Sequence, residues 1–164
     1  AYVINKNGKI IGEKLEPKNP SDIYRAYATF NPVILGSVMV RRIFGGKIFS
    51  YQIEYETNND YYTFFKLVSR GFIFANLPEK LVFSRSYDAD YTYSKIKEKF
   101  LNTLKIRFDM FLNSNYRFKV SDIAKNIAQT IILIVFPQNF VKNLLSSKRS
   151  NIDLLRPFIT PLSV

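Results

Sequence analysis

Apolar and polar positions alternate over the first part of this chain and then shift to a helical period. Tyr2, Val3 and Ile4 precede Asn7-Gly8, and Ile10, Ile11 and Leu15 follow it. Asn-Gly between short apolar runs signals a tight hairpin, so strands are expected over 2–4 and 10–15. Residues 16–21 (EPKNPS) read as a loop, and Ser21 with Asp22 as the cap of a short helix over 23–28. Residues 33–40 (VILGSVMV) are mostly apolar and β-rich, which predicts a buried strand, and Gly45-Gly46 breaks the chain after it. Residues 48–55 are aromatic and read as loop or strand. Residues 60–70 (DYYTFFKLVSR) have helical spacing, and Gly71 stands where a helix takes its left-handed terminal residue. Residues 72–76 and 80–84 read as short strands around Leu77-Pro78-Glu79. Strands alternating with short helices predict a mixed α/β sheet layer.

From Tyr91 the pattern is helical. Ile96, Phe100, Leu104, Phe108 and Phe111 recur every three to four residues and predict one apolar stripe. Ser121 and Asp122 start a second helix through 136. Pro137 fits the first turn of a third, through 145, and 146–164 form a tail with two prolines. The division falls at residue 92: 1–92 as a sheet-containing α/β unit, 93–164 as a basic amphipathic helical region and tail.

Composition removes several chemistries. The chain has no Cys, so it has no disulfide, thiolate metal site or cysteine nucleophile. It has no His, so the Ser-His-Asp triad and histidine metal ligands are excluded. Acid-base work falls to Asp or Glu, with Lys and Tyr as remoter choices. Lys and Arg number 24 against 13 Asp and Glu, a net charge of +11 that points to a polyanionic partner. Residues 91–149 hold +8 of that charge. The longest uncharged stretch, 126–141, is too short and too polar to span a bilayer. The first residues read as a polar-interrupted strand and not as a signal peptide.

Three polar features stand out. Asp60 sits where a loop enters a helix. That is an ordinary place for an N-cap, and also one where a rigid carboxylate can serve as a general base. Arg41-Arg42 and Arg85 follow expected strands, where guanidinium groups either line a phosphate-binding cleft or form surface ion pairs. The basic segment after Tyr91 is either a solvated face or a membrane-surface helix. Nucleic acid is the unlikely partner, because no nucleic-acid motif accompanies the charge. Gly45-Gly46-Lys47 is too short for a phosphate loop and reads as a turn.

Four segments, in order and in register over residues 1–92, resemble family 2 glycosyltransferases. Residues 31–42 (NPVILGSVMVRR) are similar to that family's NP-x-x-x-x-SVM-x-RR segment. Asn59-Asp60-Tyr61-Tyr62, then Lys66-Leu67 and Gly71, resemble its ED-x-D-L-x-x-RL-x-x-x-G segment. Residues 75–81 (ANLPEKL) resemble ANLPE-x-L, and 83–87 (FSRSY) resemble YYR-x-H. The resemblance implies the acceptor-side half of a GT-A fold. Such enzymes move a sugar, with inversion, from a nucleotide-diphosphate donor to a hydroxyl of a glycan, glycolipid or glycoprotein. It implies Asp60 as the base, with Asn31, Ser37, Met39, Arg41, Asn59, Arg85 and Tyr87 lining the acceptor and diphosphate cleft. Asn59, Tyr62 and Tyr87 stand where the family has Glu, Asp and His. The family's D-x-D metal motif belongs upstream of the strand that residues 1–4 match. Mn or Mg is therefore expected in a complete enzyme, on ligands outside this chain. Asp88-Ala89-Asp90 has the motif's letters and reads as a loop. By the same resemblance this chain alone is not a competent transferase, and a separate N-terminal donor-binding half is an expected partner. The expected location is cytoplasmic, peripheral at the inner face of the membrane, on an anionic lipid surface. The alternative is a non-catalytic binding or scaffold module that retains the fold.

Overall fold

The computed structural model describes residues 1–44, 47–55, 57–85 and 96–135. It is a mixed α/β structure, with a small three-stranded mixed sheet and four α-helices among the described residues.

The expected hairpin forms. Strands β1 (Tyr2–Ile4) and β2 (Ile10–Glu13) pair antiparallel. The turn works because Gly8 adopts φ +80°, which a side chain would oppose. Asn5 Oδ1 accepts from the N–H groups of Asn7 (3.0 Å) and Lys9 (2.9 Å) and locks the loop. The second strand stops at Glu13, two residues short of the expected end. Helix α1 (Pro20–Ala26) starts earlier than expected. Its N-cap residue is Asn19, not Ser21 or Asp22, because Pro20 comes with its φ already set for the first turn.

Residues 33–40 are not a strand. They hold a single 3₁₀ turn (Leu35–Ser37) between extended residues, and Met39 is 99% exposed. Val33 is buried, and Leu35, Val38 and Val40 lean on the core singly. An apolar run looks the same in sequence whether it pairs as a strand or drapes over a core. After it come β3 (Ile43–Phe44) and β4 (Lys47–Ile48), a minimal antiparallel pair.

Helix α2 (Asn59–Ser69) is the centre of the core. It buries Tyr61, Tyr62, Phe64, Phe65 and Val68. Its end follows the expected glycine rule: Phe72 N–H donates to Leu67 O, Gly71 N–H donates to Val68 O, and Gly71 has φ +88°. Residues 72–76 form no strand. Asn76 instead donates its backbone N–H to Lys18 O and its side-chain amide to Pro17 O (2.7 Å) and Pro32 O (2.8 Å). Strand β5 (Phe83–Arg85) lies later than expected and pairs parallel with β1, giving the order β2-β1-β5.

Helices α3 (Ile96–Asn113) and α4 (Val120–Val135) follow. The expected apolar stripe on α3 is only partly the buried one. Phe100 is buried, but Phe108 and Phe111 are exposed; Ile106, Arg107 and Met110 face inward instead. Apolar residues occupy several faces of this helix, so period alone did not select the buried one. One core cluster joins Ile23, Tyr27 and Ala28 to the α2 aromatics and to Ile106, Met110 and Tyr116. The link after α3 is tied to α1: Tyr116 stacks on Tyr24 and donates to Tyr24 O at 2.6 Å. No described helix is long and apolar enough to cross a membrane. The expected helix over 137–145 and the tail lie outside the described residues.

Candidate functional site

Asp60 is the second residue of α2. The N-cap position belongs to Asn58, in the left-handed region at φ 64°, which Asn tolerates better than most residues. Asn58 makes no side-chain cap. Its amide reaches across to α3, donating to Lys99 O (2.9 Å) and Thr103 Oγ1 (2.8 Å). The Asp60 carboxylate lies in the first turn of α2, near enough to the backbone N–H groups of Asp60 and Tyr61 for them to favour its charged form.

Asp60 is half-buried, and burial raises its pKa above the ordinary carboxylate value. Those two N–H groups, Lys14 and Asn31 pull the other way. Asn31 Nδ2 donates to Asp60 Oδ2 at 3.0 Å, while Asn31 Oδ1 accepts from Val33 N–H at 3.4 Å, which orients the amide. The next residue, Pro32, is held through its carbonyl by Asn76. Segments far apart in sequence thus meet: residues 31–32, the start of α2, and Asn76. Tyr51 lies close enough that Asp60's charge, after burial, raises its pKa. Lys14 pairs with Glu16 at 3.4 Å in the same neighbourhood. A half-buried carboxylate with a raised proton affinity, an amide donor and a nearby phenol can take a proton from a bound hydroxyl.

The other candidates lie elsewhere or are already engaged. Asn59 grips Tyr55: its Oδ1 accepts from Tyr55 N–H (3.0 Å) and its Nδ2 donates to Tyr55 O (2.8 Å). Ser37 Oγ closes its own turn on Ile34 O at 2.8 Å. Arg85 Nη1 donates to Lys6 O (2.7 Å) and Asn5 O (3.2 Å), so it braces the β1–β2 turn. Arg41 and Met39 are exposed. Tyr87, Asp88 and Asp90 lie outside the described residues. Among the described residues no three acidic side chains gather that could hold a metal ion. A shallow pocket lined by Pro20, Tyr24, Val68 and Phe74 contains none of the candidates.

Four participants were missed from sequence. Asn76 was quoted within a motif, but nothing local signals that its amide bridges two prolines. Tyr51 and Lys14 reach the neighbourhood only through the fold. Arg107 belongs to the basic segment after Tyr91, yet it is 4% exposed. It donates through Nε to Tyr61 Oη (3.1 Å), through Nη1 to Asn126 Oδ1 (2.6 Å) and Gln129 Oε1 (2.9 Å), and through Nη2 to Thr29 O. Tyr61 Oη in turn donates to Tyr27 O. This network braces the residue that follows Asp60. No family model matches this chain, and no curated protein or solved structure matches it either.

Proposed function

We propose that the chain is the acceptor-side part of a GT-A-like inverting glycosyltransferase with Asp60 as its general base. One observation carries the reading: Asp60 is held in the first turn of α2, half-buried, with a raised proton affinity and the Asn31 amide on one oxygen. In the proposed step the carboxylate takes the acceptor's hydroxyl proton while that oxygen attacks the anomeric carbon. The bond to the nucleoside diphosphate breaks with its electron pair, and the configuration inverts. Burial suits the task, because a base of higher pKa takes the proton more readily. The donor, any Mn or Mg and their ligands belong to a separate N-terminal half. The acceptor is a glycan, glycolipid or glycoprotein hydroxyl at the inner face of the cell membrane, with the chain peripheral to it.

A second reading, a non-catalytic module of the same fold, is favoured by the structural engagement of Asn59, Ser37 and Arg85. Transfer of radiolabelled sugar by the chain joined to its donor-binding half separates the two. Asp60→Asn keeps the shape and should lower turnover by at least about 100-fold, the lower bound for loss of a general base. Undiminished transfer in that variant removes Asp60 from the chemistry. No transfer by the wild-type assembly favours the module.

A further inference from the structure

Helix α4 is built inside out. Its inner face carries Asp122, Asn126, Gln129 and Leu133, three polar side chains to one apolar. Its outer face carries Val120, Ile123, Ile127, Ile131 and Ile134. These recur at i, i+3, i+7, i+11 and i+14, one continuous stripe along the helix. All five are exposed, Val120 by 83% and Ile134 by 76%. The inversion has a cause inside the protein. The buried Arg107 guanidinium needs acceptors, and Asn126 and Gln129 supply them, so the polar face is drawn inward and the aliphatic face turns out.

The charge around the stripe has one sign. Arg117 and Lys119 are exposed just before the first turn of α4, while the helix's own carboxylate, Asp122, is buried. Asp122 accepts from Lys119 N–H at 2.8 Å, a bond that starts the helix and keeps that charge off the outer face.

We infer that the outer face of α4 docks on an anionic lipid bilayer. Its isoleucines enter the boundary between headgroups and acyl chains, and Lys119, at the start of the helix, engages lipid phosphates. No described helix is long and apolar enough to cross a membrane, so this one lies in the plane of the interface. Charge selects this occupant over a second copy of the chain, since each copy carries +11. The inference rests on the peripheral placement proposed above and not on the sugar-transfer step at Asp60.

The test uses the full chain and vesicles of phosphatidylcholine, alone or mixed about two to one with phosphatidylglycerol. Anionic vesicles should co-sediment the chain and release it in high salt. Lys119→Glu should weaken binding by about fivefold or more. Ile127→Gln with Ile131→Gln should weaken it by at least about tenfold, with unchanged circular dichroism because both sites are exposed. The chain lacks tryptophan, so Ile131→Trp gives a single reporter whose emission should shift to the blue on anionic vesicles only. Vesicle binding untouched by the isoleucine pair, with an unshifted reporter, places the contact elsewhere and overturns the assignment to α4 while peripheral placement survives. No binding to either vesicle overturns both. Self-association of the wild type that the isoleucine pair abolishes makes the occupant a second copy and overturns the lipid assignment. None of these outcomes alters a transfer rate that depends on Asp60.

Discussion

Helices α2 and α4 solve opposite problems. α2 buries Tyr61, Tyr62, Phe64, Phe65 and Val68 and keeps Lys66 at the surface beside Glu54. Its position in the core follows from the hydrophobic effect alone. α4 turns amides inward toward Arg107 and aliphatics outward. It is placed by hydrogen-bond demand, because a buried guanidinium left without acceptors is far more costly than exposed isoleucine. Apolar content therefore does not tell which face of a helix is inside when a neighbour presents a buried charge.

The contrast can be broken at several points. The largest effect is expected on the α2 side. Phe65 is fully buried and its ring packs against those of Tyr27, Tyr61 and Tyr116, so Phe65→Ala should destabilise by about 4 kcal/mol in denaturant titration. A loss under about 1 kcal/mol would mean that α2 is not the organising helix.

Next comes the polar core. Arg107→Leu strands Tyr61 Oη, Asn126, Gln129 and the Thr29 carbonyl, and should cost about 3 kcal/mol. Adding Gln129→Leu should restore part of it, since removing both partners leaves fewer orphaned groups. If the double variant is instead worse by the sum of its parts, hydrogen-bond demand does not place α4.

A smaller effect distinguishes function from packing at Asp60. Its folded pKa is raised, so between the ordinary carboxylate value and that raised value the unfolded chain has released the proton while the folded chain holds it. Stability from this group therefore falls as pH rises through that window, and below it the contribution is constant. Asp60→Asn should flatten this descent and be at least as stable as the wild type at neutral pH, with the transfer loss described above. A variant that unfolds would make Asp60 a structural cap.

The smallest effect is expected outside. Ile127→Gln on α4 should change stability by no more than about 0.5 kcal/mol, because its side chain already meets solvent. A large loss would show that this face is covered within the chain.

Much of the local structure was legible because short-range rules are strong. Asn7-Gly8 and Gly71 each sit at positive-φ turns that few other residues allow, and both ends they mark appear where the sequence placed them. The period of 60–70 gave α2 to within a residue at both ends, and Ser121-Asp122 gave the start of α4 to within a residue. Asp60 at the entrance of a helix was equally visible.

What only the tertiary structure decided are the non-local pairings. Whether 33–40 pairs as a strand depends on a neighbouring strand, and none is offered there among the described residues; Leu35–Ser37 turns instead. Asn31 meets Asp60, and Asn76 meets Pro17 and Pro32, across separations that no local pattern encodes. The sequence by itself determined the helices, the hairpin and the surplus of positive charge, because each follows from a residue's own conformational freedom or its ionisation. The inward turn of Arg107, and with it the outward face of α4, was decided only when packing took one cation out of water and required the nearest amides to surround it.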